Sequence, residues 1–332
     1  MDIERYRLRS SIIQEIRSFF TARSYLEVDT PILAPACIPE SSIPLFKTVQ
    51  LHPFEDPRAL QLLPSPEYYI KQLLAAGWGS MFQLAKSFRN GENVGRIHAA
   101  EFTMLEYYGT GLDYRDSMDL TEELLIHLAQ SCDSPVAPEP GPFARISMAE
   151  AFERYAEIDL EELCGDDGAI PVREDIHRAR KILRSLGLSW DERDNWEMLF
   201  NRVFLNLVEP RLESHGRPLF LTEYPKKLQS LSAPIADSPW SQRWELYWQG
   251  IELANCFTEE TDTRRLREFF THEIRAMARE QDEAMQTLAD PLFPEKIAGI
   301  PDCSGTAMGL DRLIMILSGA ERLSEVMLFP LG

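Results

Sequence analysis

Apolar residues recur every three or four positions near the start of the chain. This spacing predicts a helix with one apolar face over residues 8–20, and its apolar positions are Leu8, Ile12, Ile13, Ile16, Phe19 and Phe20. Leu26 and Val28 then alternate with acidic residues up to Pro31. An alternation with a period of two that ends at a proline predicts a short strand.

The rest of the chain shows similar changes of period. Ser65-Pro66-Glu67 is typical of a helix start, with Ser65 as the N-cap and Pro66 as the first helical residue, and this helix is expected to end near Gly77. Further expected elements are strands over 81–90, 100–108, 219–222 and 243–259, helices over 115–131, 262–286 and most of 143–215, and a turn leading into an apolar helix over 305–318. The stretch 133–142 is rich in proline and glycine and indicates a connection. Hairpins among helices predict an α+β fold, a mainly antiparallel sheet flanked by helices.

Composition narrows the class of protein. The 332 residues suffice for one large or two ordinary domains. With 53 acidic and 34 basic residues the net charge is −19, which disfavours broad binding to nucleic acids or anionic membranes. Five cysteines without CxxC spacing indicate reduced, mostly buried thiols rather than disulfides or structural zinc. A cytoplasmic protein is expected, because no signal pattern and no stretch near the roughly 20 apolar residues of a membrane span is present.

The first segment with candidate chemistry is the hairpin over residues 88–106. Arg89 can bind a phosphate through two parallel hydrogen bonds. Phe102, Met104 and Glu106 have the same parity and therefore share one face of the returning strand. This face offers a ring for stacking and a carboxylate for a cation. The alternative is an ordinary surface hairpin with a salt bridge.

The second segment is a hairpin with a proposed turn at Gln249-Gly250. With this turn Tyr247 faces Glu252, and Glu245 lies diagonal to Glu252, about 7–8 Å away. Two carboxylates at this separation can share a hard divalent cation. The opposite face is expected to join the core, and it consists of Trp244, Leu246 and Trp248. The alternative is a pair of solvent-facing glutamates.

The same strand continues with a second functional face. Asn255, Phe257 and Glu259 recur every second residue, and together they suit a ligand with an alkyl stem and an ammonium end. Glu252 has the wrong parity for this face. A single site therefore requires a β-bulge near Leu253-Ala254.

The third segment covers residues 305–317. Its small residues let the backbone approach a ligand closely, and Arg312 begins a helix, a region that favours anions. The alternative is a helix start whose arginine pairs with a neighbouring acid. The chain lacks the glycine-rich phosphate loop, the Rossmann glycine pattern and the Gly-x-Ser-x-Gly elbow.

Taken in order, these segments resemble the three motifs of class II aminoacyl-tRNA synthetases. Residues 26–31 resemble the first motif, residues 88–106 the second, and Gly309-Leu310-Asp311-Arg312 the third. Glu-Phe-Thr-Met-Leu-Glu at 101–106 and the stretch 252–259 indicate the lysyl subgroup.

The position of the first motif narrows the resemblance further. Lysyl-tRNA synthetases carry an anticodon-binding barrel before this motif, and here the motif begins too early to leave room for one. The chain is therefore similar to the elongation factor P–lysine ligase family, which Ser65-Pro66-Glu67-Tyr68, residues 250–255 and residues 301–305 also match. The resemblance implies a single class II catalytic domain over residues 1–332, with a mostly helical inserted region at about 143–215 and no such barrel.

The resemblance also implies a role for each matched residue. Arg89 and Arg312 would be catalytic, holding the α- and γ-phosphates of ATP. The ATP-binding set would be Arg89, Asn90, Glu92, His98, Ala99, Phe102, Glu252, Leu253, Gly309 and Arg312. The substrate-binding set would be Ser65, Pro66, Glu67, Glu106, Tyr108, Asn255, Phe257, Glu259 and Ala307. Magnesium would be bound by Glu245 and Glu252.

The activity implied is ATP-dependent ligation of (R)-β-lysine to a lysine of elongation factor P, through an acyl-adenylate, by a homodimer that binds neither tRNA nor a membrane. Two alternatives stay open: a paralogue that loads tRNA, a lipid or another amino acid, and a non-catalytic class II binding or regulatory dimer. The chain departs from the family at Ala99-Ala100, where Asn-Pro is usual, and at Cys256, where glycine is usual.

Overall fold

The computed structural model describes residues 2–91, 94–165, 168, 170–280 and 288–330. Its strands, in chain order, are β1 (Leu26–Glu27), β2 (Leu33–Ala34), β3 (Lys47–Gln50), β4 (Arg58–Leu62), β5 (Met81–Phe88), β6 (Glu101–Thr110), β7 (Ala144–Ser147), β8 (Leu219–Thr222), β9 (Arg243–Trp248), β10 (Ile251–Thr258) and β11 (Cys303–Gly309). Its α-helices are α1 (Ile3–Ala22), α2 (Glu67–Ala75), α3 (Tyr114–Ser131), α4 (Met148–Ala156), α5 (Leu160–Cys164), α6 (Arg173–Ser185), α7 (Trp196–Val203), α8 (Glu209–Leu212), α9 (Thr263–Glu280), α10 (Phe293–Lys296) and α11 (Leu310–Leu317).

Eight strands form one large sheet in the order β1-β5-β6-β11-β10-β9-β8-β7. The outermost pairs, β1 with β5 and β7 with β8, are parallel, and all other neighbours are antiparallel. A separate three-stranded sheet has the order β2-β4-β3. The α+β class with a mainly antiparallel sheet is confirmed.

One face of the large sheet is covered by helices and forms the main core. Trp244, Leu246 and Trp248 of β9 belong to this core, as predicted, together with the apolar faces of α1, α3 and α11. Because neighbouring residues of a strand point to opposite faces, the residues between these three point to the other face. That face carries the candidate site.

The helices between β7 and β8 have a core of their own. After β7, which was not predicted, the elements from α4 to α8 are all helical and include one π-turn, Phe204–Val208. Their buried apolar residues form a cluster separate from the main core and reach the large sheet through β8 and Tyr247. A buried ion pair between Lys227 Nζ and Asp175 Oδ2 (2.5 Å) also joins α6 to the segment after β8.

The structure corrects three expectations. Residues 303–309 form a central strand, β11, instead of a turn, because the sheet pairs them on both sides although their small side chains give a weak strand signal. The strand expected up to Pro31 is the two-residue β1. Helix α2 begins at Glu67, one residue later than predicted, although Ser65 Oγ still accepts a hydrogen bond from the Glu67 N–H (3.0 Å).

Three further observations concern the cysteines, the end of helix α9 and membrane spans. All five cysteines are free thiols and four of them are buried, as expected. Helix α9 is followed as far as Glu280, and the remainder of its expected range lies outside the described residues. Among the helices that the structure describes, none combines the length and the apolar character needed to cross a bilayer.

Candidate active site

Four central strands place the predicted site residues in adjacent rows. In one row Glu106 of β6 pairs with Ala307 of β11, Ala307 pairs with Asn255 of β10, and Asn255 pairs with Glu245 of β9. The next row consists, in the same strand order, of Tyr108, Gly305, Phe257 and Arg243. Residues that are neighbours in register on one face of a sheet lie within side-chain reach.

A β-bulge joins the two carboxylate sets of the β9–β10 hairpin. Glu252 pairs with Tyr247, but Ala254 pairs with Leu246, so the register shifts at Leu253. The extra residue places Glu252 on the same face as Asn255 despite their difference in parity. The β-bulge that a single site requires is therefore present, and so is the two-residue turn, with positive φ at Gln249 and Gly250.

A cavity of about 220 Å³ opens between the β5–β6 hairpin and the start of α11. Nine of the ten candidate residues for ATP binding can be placed, and eight of them line it: Arg89, His98, Ala99, Phe102, Glu252, Leu253, Gly309 and Arg312. Asn90 does not line it, and its side chain accepts a hydrogen bond from the Gly91 N–H (2.9 Å). Glu92 lies outside the described residues.

Both arginines, Arg89 and Arg312, line the cavity. The Arg89 guanidinium lies 5.6 Å from the centre of the Phe102 ring. Arg312 is fixed by backbone carbonyls, since its Nη1 donates to Glu252 O (2.8 Å) and its Nε to Ile97 O (3.1 Å). Two guanidinium groups that line one cavity make it suited to a polyphosphate.

The start of α11 is held by a buried ion pair that the sequence did not suggest. Arg9 Nη1 of α1 donates to Asp311 Oδ1 (2.6 Å), and Asp311 Oδ2 accepts the Thr103 N–H (2.6 Å). Asp311 therefore connects α1 to the strand that carries Phe102 and to the helix that carries Arg312.

Glu245 and Glu252 are two neighbouring carboxylates, as expected of a site for a cation. Burial and the nearby Glu245 charge raise the pKa of Glu252 to about 7, although Arg312 and Arg89 act in the other direction. Glu245 is bound by two partners that we did not predict: Arg243 Nη2 donates to Oε1 (2.7 Å) and Tyr247 OH donates to Oε2 (2.9 Å). A carboxylate accepts about four hydrogen bonds or metal contacts, so Glu245 keeps free acceptor positions.

Arg243 also orients the neighbouring amide. Its Nε donates to Asn255 Oδ1 (3.0 Å), and its guanidinium lies 4.5 Å from the centre of the Tyr224 ring. This arginine therefore links the carboxylate pair to Asn255. The signal that could have found it is its parity, since it stands two residues before Glu245 on the same face.

A second group of acids lies beyond Ala307, and we call Glu67, Glu106 and Glu259 the carboxylate cluster. Glu106 accepts one hydrogen bond from Ser65 Oγ and a second from Tyr108 OH (3.3 Å). Burial, followed by the charge of Glu67, raises the pKa of Glu106 to about 8. Two further candidate substrate residues, Ser65 and Tyr108, thus both bind Glu106.

Glu67 and Glu259 share one buried cation, Lys71. Its Nζ lies 2.5 Å from Glu67 Oε1 and 2.7 Å from Glu259 Oε2, and 5.0 Å from the centre of the Phe257 ring. Burial raises the pKa of Glu259 to about 7 even though Lys71 acts in the other direction. We did not predict Lys71, although it follows Glu67 by four residues on a helix, a spacing typical of ion pairs.

Gly305 is required by the shape of this cluster. A Cβ atom there would lie 2.3 Å from Tyr108 Cε1 and 2.7 Å from Glu259 Oε1. At Gly309 an added Cβ would meet nothing closer than Arg312 Cδ at 3.6 Å. Of the two glycines, only Gly305 is required by the packing of neighbouring side chains.

The two departures from the family pattern occupy different environments. Cys256 points into the core and lies 3.1 Å from Ser117 Oγ, so its side chain stays away from the cavity. Ala99 lines the cavity and is buried, so it presents its backbone and one methyl group there.

The candidate substrate residue Pro66 lies between Ser65 and Glu67 and precedes the first residue of α2.

Comparison with known proteins agrees with this geometry. The model of the family described as tRNA synthetases class II (D, K and N) matches residues 3–332. A relative in Yersinia enterocolitica, named elongation factor P–(R)-β-lysine ligase, is 37% identical over 98% of this chain and 94% of its own length. A relative of the same name in Salmonella arizonae is 36% identical over 97% of this chain and 93% of its own length. The chain therefore belongs to the class II tRNA synthetase family and, within it, to the elongation factor P–(R)-β-lysine ligases.

Proposed function

We propose that the protein is an ATP-dependent, AMP-forming ligase that attaches (R)-β-lysine to a lysine side chain of elongation factor P. One observation carries the proposal: a cavity lined by two arginines adjoins a buried carboxylate cluster on the same sheet face. A polyphosphate and a substrate with two ammonium groups can thus lie side by side, as adenylation requires. The names of the relatives support this choice of substrate and acceptor.

The nucleotide would occupy the arginine cavity. Arg89 would hold the α-phosphate, and Phe102 would stack on adenine beside His98 and the Ala99 backbone. Arg312 would hold the γ-phosphate. We include Asn90 and Glu92 in the nucleotide site through the resemblance alone. The fixed position of Arg312 supports its role, because a donor that is already oriented needs little reorganisation in the transition state.

β-Lysine would extend from the cavity into the carboxylate cluster. Its ammonium groups would meet Glu67, Glu106 and Glu259, with Ser65 and Tyr108 positioning Glu106. Asn255 and Ala307, in the row between the cluster and Glu245, would flank the reacting carboxylate, and Phe257 would pack against the alkyl stem. Buried carboxylates need a cation partner, which supports a cationic substrate.

Glu245 and Glu252 would hold magnesium. The residues fit this ion, since both are oxygen ligands and a divalent cation would relieve the repulsion that raises the pKa of Glu252. Among the described residues no group of three or more metal-binding side chains is found, so phosphate oxygens would complete the coordination. Bound magnesium supplies charge neutralisation for the phosphates.

The chemistry needs no nucleophile from the protein. The β-lysine carboxylate attacks the α-phosphorus, the bond to the β-phosphate oxygen breaks, and pyrophosphate leaves. The lysine ε-amine of elongation factor P then attacks the adenylate carbonyl, loses a proton, and AMP leaves. Arg89 stabilises charge that develops on the α-phosphate, so catalysis comes mainly from positioning and electrostatics.

We also propose how the chain is organised. A single class II catalytic domain would include the helices from α4 to α8 as an inserted region, which their separate core supports. The protein would act in the cytoplasm as a homodimer and would not bind tRNA, which its net charge of −19 supports.

ATP–pyrophosphate exchange with a panel of amino acids tests the activity. We expect exchange with (R)-β-lysine, little with α-lysine, and none with neutral amino acids. A mass increase of one β-lysyl group on elongation factor P, at a lysine, tests the acceptor. Charging of tRNA without modification of elongation factor P would contradict the proposed acceptor, and no exchange with any amino acid would favour a non-catalytic protein.

A further inference from the structure

A buried lysine lies inside the proposed amino-acid site. We propose that Lys71 is a positioning residue that sets the charge of this site: it holds Glu67 and Glu259 in place and neutralises one of the three carboxylates. When all three acids are ionised, the carboxylate cluster then presents two negative charges, which match a substrate with two ammonium groups. This inference rests on the proposed function and adds a specificity-determining residue to it.

Lys71 forms ion pairs with two acids, Glu67 and Glu259. Its side chain has no exposed surface, and its Nζ lies between Glu67 from the same helix and Glu259 from the residue after β10. The Glu67 side chain is 19% exposed, so it faces the open part of the site, whereas that of Glu259 is 2% exposed. The lysine therefore reaches the site from behind the two acids.

A purely structural ion pair would not need this arrangement. One acid is enough to pair a buried lysine, and a buried salt bridge contributes little to stability compared with apolar packing. Here one cation serves two acids while a third, Glu106, stands within electrostatic range. When its acids are ionised, the cluster therefore has an excess of negative charge that a cationic ligand can balance.

The number of charges in the cluster predicts which amino acids it prefers. Glu67, Glu106 and Glu259 carry three negative charges when ionised, and Lys71 leaves two. The two ammonium groups of β-lysine balance these, and its carboxylate lies toward Arg89. A ligand with one ammonium group would leave a buried carboxylate without a partner, which is costly.

The other charged or titratable groups around Lys71 come from four further elements. Glu259 follows β10, Glu106 and Tyr108 lie on β6, Cys303 lies on β11, and Glu40 lies in the connection between β2 and β3. Burial, followed by the charge of Glu67, raises the pKa of Glu40 to about 7. The charges of Glu259 and Glu67 raise the pKa of Lys71 despite its burial, so Lys71 stays cationic while its acidic neighbours titrate.

The test is the Lys71→Met variant, assayed by pyrophosphate exchange between about pH 6.5 and 9. We expect the KM for β-lysine to rise by at least about tenfold at neutral pH, because a buried acid without its cation takes up a proton. The KM for ATP should change much less. The β-lysine KM of the variant should fall more steeply with rising pH than that of the wild type, as that proton is lost.

Two further variants keep the result interpretable. Lys181→Met, at an exposed position of α6, is the matched control and should leave both KM values unchanged. The double variant Lys71→Met/Glu259→Gln removes both members of one buried pair and should fold even where the single variant does not. Its β-lysine KM should lack the steep pH dependence of the single variant.

Each outcome decides the proposal. A wild-type β-lysine KM and pH profile in Lys71→Met would overturn it, as would equal increases in both KM values. Failure of the wild type to activate β-lysine would instead contradict the proposed function. In that case the same comparison is made with whichever amino acid raises the melting temperature or supports exchange. If that amino acid has a neutral side chain, or if no amino acid raises the melting temperature or supports exchange, the proposed role of Lys71 is overturned as well.

Discussion

Single side chains of the site are held by their neighbours before any ligand binds. Arg243 links Glu245 to Asn255, and Arg312 donates to two backbone carbonyls. Side chains fixed in this way lose little conformational entropy when a ligand binds. Substitutions among them are therefore expected to change activity more than the bare number of ligand contacts suggests.

Glu252→Gln tests the metal site at this scale. Replacing one hard anionic oxygen ligand by an amide should lower magnesium-dependent exchange by on the order of 10–100-fold or more. Pyrophosphate exchange is measured over a series of magnesium concentrations. The magnesium requirement should rise, and an unchanged rate and requirement would remove Glu252 from the metal site.

Ala307→Gly tests which lysine isomer the site accepts. The Ala307 methyl group lies in the row between Glu106 and Asn255, close to where the amine of α-lysine would lie, whereas in β-lysine the amine is one carbon further from the carboxylate. A change of one methyl group alters discrimination by about 10–200-fold. We expect α-lysine use to improve while β-lysine use changes less. A constant ratio of kcat/KM for the two isomers would make Ala307 a packing residue.

Among the elements, strand β11 leaves space for neighbouring site residues because it contains small residues and glycine. Gly305→Ala would bring a Cβ atom to 2.3 Å from Tyr108 Cε1 and 2.7 Å from Glu259 Oε1, so the ring and the carboxylate would both have to move. We expect a higher KM for β-lysine and a melting temperature lower by several degrees, since overpacking costs roughly 1–3 kcal/mol. Gly309→Ala, where the nearest atom is 3.6 Å away, is the matched control for protein packing. Equal stability of the two variants would contradict this account.

The elements also show how far the sequence alone can predict this protein. The apolar period of α1 and the parity of the hairpin strands could be predicted, because both depend on local spacing. Parity also showed that a single site requires a bulge near Leu253, but only the structure shows that the bulge is present. β11 was missed since its pairing comes from distant strands, and its small residues have weak strand propensity. Lys71 and Arg243 were missed as site residues because their importance comes from acids that the fold brings to them. The assignment of individual roles came from the family resemblance.

For the whole molecule, the raised acid pKa values predict how stability depends on pH. Glu106, with a pKa of about 8, and Glu252 and Glu259, each about 7, bind protons in the folded state at pH values where the unfolded chain has lost them. Stability due to these groups is therefore greatest below about pH 4.5 and decreases as pH rises through 7–8. Between pH 7 and 9 the melting temperature should fall less in Glu106→Gln than in the wild type. Calorimetry that shows parallel slopes would contradict the pKa assignment.

Assembly is the second prediction for the whole molecule. Leu26, Ile32 and Leu33, around β1 and β2, leave 39–47% of their surface exposed, which is unusual for large apolar residues close together. A two-fold interface across this region and α1 would cover them. Light scattering at micromolar concentration should give twice the mass of the chain, and Leu26→Glu should shift it toward the monomer. Met198→Glu, at an exposed position of α7, is the control, and a monomeric wild type would remove the prediction.

The bulge at Leu253 makes this chain unusually sensitive to the loss of one codon. Deleting residue 253 in frame would remove the bulge and restore regular pairing between β9 and β10. Relative to Glu252, each residue of β10 that follows the deletion would then point to the opposite face from the one that it occupies now. Either Glu252 would turn into the core, or Asn255 and Phe257 would do so while Cys256 turned outward. A single deletion would thus separate the proposed metal ligands from the proposed amino-acid site, so related sequences with both functions should keep the same number of residues between these glutamate and asparagine positions.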